Sequence, residues 1–116
     1  MPMLEIKDTT EQGITIVHLK GRLDGSTSAQ ADKYLVDHSA SSDEASILID
    51  ASELEYMSSA GLRVLLMAAK RAKSSQGQIA LAEPQEGVRQ VLEISGFTSI
   101  LDIHPTRAEA LQALAG

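Results

Sequence analysis

Apolar and polar residues change period along this chain, and the changes mark out its elements. Leu4 and Ile6 alternate with Glu5 and Lys7, which predicts a half-buried strand over Met3 to Lys7. A turn-like Glu11-Gln12-Gly13 follows, and Ile14-Thr15-Ile16-Val17-His18-Leu19 reads as a second, largely buried strand. The short connection favours an antiparallel hairpin. Gly21-Arg22-Leu23-Asp24-Gly25 reads as a loop bounded by glycines. Thr27-Ser28-Ala29-Gln30 then has capping-box spacing, with a hydroxyl at the N-cap and an amide three residues on. The helix it opens carries Ala31, Leu35 and His38 along one stripe with Tyr34 beside it, and Ser39 to Glu44 forms a polar loop.

Ile47-Leu48-Ile49 is a short apolar run suited to a central strand that ends at Asp50, and Ala51 to Ser59 reads as a connecting loop. From Ala60 onward Leu62, Leu65, Leu66 and Ala69 recur at helical spacing, the stripe of an amphipathic helix. Lys70, Arg71 and Lys73 crowd its far end, where positive charge complements the helix dipole. Ile79 to Ala82 predicts a further strand. Val88, Val91 and Leu92 mark a third helix stopped by Gly96, and Ile100 to Ile103 a last strand. Thr106-Arg107-Ala108-Glu109 repeats the capping-box pattern before a helix that turns Ala110, Leu111 and Leu114 inward. Strands and helices alternate after the hairpin. The expected fold is therefore α/β: one domain over residues 1–116, a mixed sheet of four to five strands, parallel in its later part, with about four helices. The pattern leaves open whether one sheet face stays uncovered.

Composition narrows the function. The 116 residues are 43% hydrophobic and 22% charged, a globular balance, and contain no cysteine, which removes disulfides, thiolate zinc sites and cysteine nucleophiles. The net charge is −6, and the only aromatics are Tyr34, Tyr56 and Phe97. Such a surface repels phosphate backbones and anionic lipid, and it offers too few rings for base stacking. No apolar run is long enough for a membrane span, and the N-terminus has no leader pattern, so the expected location is the cytoplasm. Nucleic acid and membrane are therefore not expected partners, and composition alone does not reveal the function.

The stretch Ile47 to Lys73 holds the candidate chemistry. Ser58 and Ser59 stand where the first helical amides lack intrahelical partners. A serine there caps the helix, contributing about 1 kcal/mol. The same place suits a phosphoserine, because the helix dipole and free amides favour negative charge.

Asp50-Ala51-Ser52 through Tyr56-Met57-Ser58-Ser59-Ala60-Gly61-Leu62-Arg63-Val64-Leu65 resembles the signature of STAS domains, the anti-sigma factor antagonists. Gly21-Arg22-Leu23-Asp24 is similar to their second recurring segment, and Glu93-Ile94-Ser95-Gly96-Phe97 to their late helix-glycine-strand segment. The resemblance covers nearly the whole chain in the right order. It implies a protein with no enzymatic activity, metal or cofactor. Such antagonists, when unphosphorylated, bind an anti-sigma factor that is also a serine kinase and so release the sigma factor. The kinase then phosphorylates the antagonist, and a PP2C-type phosphatase restores it. The alignment of Gly61-Leu62 places the modified residue at Ser59, with Ser58 the second choice, and the partner-binding set at Asp24, Ser58, Ser59 and Gly61. This chain has Ser58 where many relatives have Asp, and Ala60 where they have a second hydroxyl.

Other classes find less in the sequence. Ser59 lacks a Gly-x-Ser-x-Gly context, and His18, His38 and His104 are far apart without metal-helix spacing. His18 reads as a packed strand residue, His38 as a helix-end residue and His104 as a loop residue. Asp50, Glu53 and Glu55 could hold magnesium, as in receiver domains, but read as a solvated acidic loop. The alternative within the resemblance is a STAS scaffold or lipid-transport subunit that binds proteins without a sigma factor. Type III secretion regulators use the same module, and the default oligomeric state is a monomer.

Overall fold

The computed structural model describes residues 3–39, 46–74, 77–96 and 101–115. Its strands are β1 (Leu4–Glu11), β2 (Ile14–Leu23), β3 (Ser46–Met57), β4 (Gln78–Ala82) and β5 (Asp102–His104). Its helices are α1 (Ser28–Ser39), α2 (Ser59–Ser74), α3 (Glu86–Ile94) and α4 (Arg107–Ala115). The strands form one sheet in the order β1-β2-β3-β4-β5. The β1–β2 pair is antiparallel and the other three pairs are parallel. This is the expected α/β fold with a mixed sheet. Gln12 and Gly13, at φ 56° and 78°, make the two-residue turn whose twist matches a hairpin. The parallel pairs need crossovers, which α1, α2 and α3 supply.

Alternation along the central strands divides the core between two faces. Val17, Leu19, Ile47, Ile49, Ile79 and Leu81 pack beneath α1, α2 and α3. Ile14, Ile16, Leu48, Ala80 and Ala82 pack beneath Ala110, Leu111 and Leu114 of α4. Both faces of β2 to β4 thus carry helix, which is why Ile47-Leu48-Ile49 is apolar without alternation. The second face, left open by the sequence pattern, is covered where α4 lies.

Two expected loops are strand. Gly21-Arg22-Leu23 continues β2, and Ala51 to Met57 continues β3, so Asp50 sits mid-strand. Irregularities between His18 and Lys20 and between Gly21 and Arg22 shift the register, which hides the strand period. Gly21 has φ 110°, and a Cβ there would lie 2.4 Å from the Met3 carbonyl oxygen. The residue that reads as a breaker is what lets the strand pass. The first capping box is also not realised. The Thr27 hydroxyl donates to the Arg22 carbonyl at 2.9 Å and accepts from the Asp24 N–H at 3.0 Å, while Gln30 reaches the Leu4 carbonyl at 3.2 Å. In the second box the Thr106 hydroxyl does accept the Glu109 N–H, at 3.1 Å. His104 ends β5 instead of lying in a loop. The Ser39–Glu44 loop lies almost wholly outside the described residues, as do Ile100, Phe97 and the side chain of His38.

Arg107 fastens α4 to the sheet. Its guanidinium lies 2.9 Å from Glu11 and 3.8 Å from Asp50, and its N–H donates to Glu83 at 2.9 Å. Asp50 is only 7% exposed; it also lies 3.3 Å from His18 Nδ1 and accepts the Ser52 N–H at 3.0 Å. Replacing Arg107 by Gln strips a cation from this buried carboxylate. The substitution is expected to lower the unfolding free energy by about 1–2 kcal/mol, measured as a reduced urea midpoint with an unchanged m-value.

Candidate functional site at the start of α2

The paired ends of β2 and β3 carry the site, with Leu23 opposite Met57 and Arg22 opposite Tyr56. Leu23 and Met57 point into the core at 0% and 2% exposure, so both chains leave the sheet from anchored positions. Immediately beyond, the Ser58 N–H donates to the Leu23 carbonyl at 3.0 Å. This bond joins the loop that begins at Asp24 to the start of α2. Gly61 completes the junction. A Cβ at Gly61 would lie 2.4 Å from the Leu23 carbonyl oxygen and 2.7 Å from its Cγ, so only a residue without a side chain fits. Gly61 is buried in this contact and serves packing directly.

The two serines have different surroundings. Ser58 is half-buried and caps α2: its hydroxyl accepts the Gly61 N–H at 3.4 Å and its carbonyl the Leu62 N–H at 2.9 Å. Ser59 is the first residue of α2 and is exposed. Among the described residues its hydroxyl has no hydrogen-bond partner. It faces a groove of about 530 Å³ between α1 and α2, bordered by Ser28 and Asp32 on one side and Arg63 and Met67 on the other. Met67 is 43% exposed, whereas Leu62 and Val64 belong to the core.

Asp24 is held rather than free. Its Oδ1 accepts the Ser26 hydroxyl at 2.7 Å and the Ser26 N–H at 3.0 Å, and its Oδ2 lies 3.5 Å from Arg22 Nε. The Ser26 hydroxyl bond is the main cause of a carboxyl held below the usual carboxylate range; burial, the next largest effect, opposes it, and the Ser26 N–H and Arg22 lower it further. The buried Thr27 hydroxyl ties the same loop to the end of β2.

Sequence reasoning missed Arg22 and Tyr56. The Arg22 guanidinium lies over the Tyr56 ring, 4.3 Å from its centroid. Only the cross-strand register brings them together, and both lie in stretches that read as loops. The structure does not converge the other candidates. His18 and Asp50 form a pair on the α4 face with Thr9 3.2 Å from His18 Nε2, and His104 sits on β5. Asp50 is buried while Glu53 and Glu55 are exposed, so the three are not one acidic loop. Among the described residues no group of three His, Asp or Glu side chains is placed to hold a metal ion.

The geometry can be compared with known proteins. The STAS domain family matches residues 5–110. BtrV of Bordetella bronchiseptica, named as a candidate anti-sigma factor antagonist, is 37% identical over 102 residues, covering 88% of this chain and 80% of its own length. TM1081 of Thermotoga maritima, a solved structure described in the same terms, superposes with a TM-score of 0.87 at 23% identity over 96% of this chain and 95% of its own. The Bacillus cell-fate determinant SpoIIAA, solved in its phosphorylated form, gives a TM-score of 0.70 at 19% identity over 95% of this chain and 97% of its own.

The tight Gly61 junction makes a direct prediction. Gly61→Ala is expected to cost about 1–3 kcal/mol, because the new methyl group meets backbone that must shift. Gly87→Ala, in α3 with nothing within 4 Å of its added Cβ, is expected to be neutral or stabilising by up to about 1 kcal/mol. Chemical denaturation of the two variants beside the wild type checks both.

Proposed function

Since the chain belongs to the STAS domain family, we propose that it is an anti-sigma factor antagonist switched by phosphorylation at Ser59. Unphosphorylated, it binds an anti-sigma factor that is also a serine kinase and displaces the sigma factor. Phosphorylation ends that binding, and a PP2C-type phosphatase reverses it. The observation that carries the reading is the division between the serines. Ser58 spends its hydroxyl on the helix cap, and Ser59 presents an exposed hydroxyl at the mouth of the α1–α2 groove. The name borne by BtrV supports the antagonist role, and a phosphorylated SpoIIAA of the same fold supports this kind of switching.

The chemistry asks little of this protein. The Ser59 oxygen attacks the γ-phosphorus of a nucleoside triphosphate bound by the kinase. The new P–O bond replaces the one to the nucleoside diphosphate, and the hydroxyl proton leaves to a base on the kinase. The catalytic groups belong to the partner. The product carries roughly −1.5 to −2 charges on a docking surface. Desolvating that group, or placing it against a partner carboxylate, costs several kcal/mol. About 5.5 kcal/mol is enough to invert a 99:1 occupancy, so one phosphate is a sufficient switch. The ionised Asp24, fixed beside the start of α2 through Leu23 and Ser58, belongs to the same partner surface.

Incubation with a candidate anti-sigma kinase and ATP, followed by phosphosite mapping, tests this reading. The expected product is acid-stable phosphoserine at Ser59. Ser59→Ala should bind the kinase with wild-type affinity and remain unmodified, and Ser59→Asp should bind at least about tenfold more weakly. Phosphorylation of Ser59→Ala at the wild-type rate would move the site to Ser58, and an acid-labile product would point to an aspartyl phosphate. Asp24→Ala should weaken kinase binding by about tenfold with an unchanged circular dichroism spectrum; loss of the folded spectrum would make Asp24 structural instead.

A further inference from the structure

The geometry points to Arg63 as the intramolecular partner of a phosphoryl group on Ser59, so that the modified protein compensates part of its own switch charge. The inference rests on the Ser59 reading above and specifies how that site is regulated.

Ser59 and Arg63 are four residues apart on α2 and border the same groove. At this spacing two side chains lie one above the other on a helix, and an anion preceding its cation is the favourable order. The other charged residue of the groove, Asp32, lies 3.6 Å from Arg71, an ion pair that holds its carboxylate toward α2's later turns. Arg63 is exposed and, among the described residues, has neither an ion pair nor a hydrogen-bonded acceptor. Ser58 occupies the Gly61 and Leu62 N–H groups, so the helix terminus offers a phosphate the Ser59 and Ala60 N–H groups, and Arg63 adds to them the one side-chain cation that, among the described residues, borders the groove. A guanidinium offers a planar fork of donors that matches phosphate oxygens two at a time. In the unmodified protein Ser59 gives Arg63 no charge to hold, so the contact exists only after phosphorylation.

The consequence for the switch is twofold. Phosphorylation adds negative charge to the groove and also withdraws the guanidinium that bordered it. A partner surface that meets Arg63 in the unmodified protein loses that cation in the same event.

The test installs phosphoserine at position 59 during translation and follows the phosphate by ³¹P NMR through its second ionisation. The reference is the same phosphoprotein unfolded in urea. The folded wild type is expected to titrate roughly half a pH unit lower, about threefold weaker in proton affinity. Arg63→Gln should lose the part of that difference that the helix terminus does not supply, and Arg63→Lys should lose less of it. The displacement should shrink in 1 M NaCl, where an exposed pair is screened. Identical titrations of wild type and Arg63→Gln would overturn the inference, and so would a wild-type displacement unaffected by salt. The measurement needs no kinase. A kinase assay that leaves Ser59 unmodified therefore overturns the switch reading, whereas equal titrations overturn the Arg63 contact with Ser59 phosphorylation intact.

Discussion

The contact between the end of β2 and the start of α2 is the constraint on which the site depends. The Leu23 carbonyl accepts the Ser58 N–H, and Leu23 fills the space that any side chain at position 61 would need. A protein interior is packed too densely for such a junction to slide, so the two segments hold one relative placement. The Thr27 hydroxyl secures the loop from behind through the Arg22 carbonyl. The fixed spacing between an ionised Asp24 and an outward Ser59 follows from these few contacts. Neither residue holds the other directly; both are positioned by Leu23.

What the sequence made legible were the continuous apolar runs and the segments whose period is undisturbed. Ile14 to Leu19, Ile47 to Ile49 and Ile79 to Ala82 all lie in strands; the α4 stripe is buried as its spacing predicts, and so is the α2 stripe apart from Leu66, which is half-buried. The strand ends beyond them were not legible. In β2 the register shifts on both sides of Gly21, and in β3 polar residues enter where the sheet runs past its helical cover, so neither stretch keeps a period of two. The two Thr-x-x-Gln/Glu patterns are instructive together. Thr106 is exposed and caps its helix, whereas Thr27 is buried and its hydroxyl closes the loop to β2. Local spacing identifies a hydroxyl that can cap; burial decides which donor and acceptor it meets. The Arg22–Tyr56 pair depends wholly on register and left no local signal.

Asp50 shows the same dependence on tertiary context. At the end of an apolar run it resembles a strand-terminal acid of a cation site. In the folded chain it is a buried anchor between β2, β3 and α4, met by His18 and Arg107. Burying a carboxylate is costly unless it is paired, and these partners make the position tenable. The same pairing commits its oxygens and separates it from Glu53 and Glu55. The acidic residues near this strand thus serve two purposes: one fastens the last helix, and the others solvate the strand's exposed end.

The net charge of −6 returns with a narrower meaning. A phosphate on Ser59, as proposed above, would change that total by only a fraction, and at physiological salt the field of an exposed charge is screened within about 8 Å. A partner docked at that surface would therefore sense the charges that lie beside Ser59, not the sum over the chain. Beneath the serine, Leu62 and Leu65 are 8% and 1% exposed and α2 has its cap from Ser58, so a phosphate there would find no loose element to rearrange. Its effect would be confined to the surface, to Arg63 and Asp32 of the groove. A rigid support is what such a switch needs, because a surface that yielded to the new charge would spread its cost over many contacts instead of setting it against the partner.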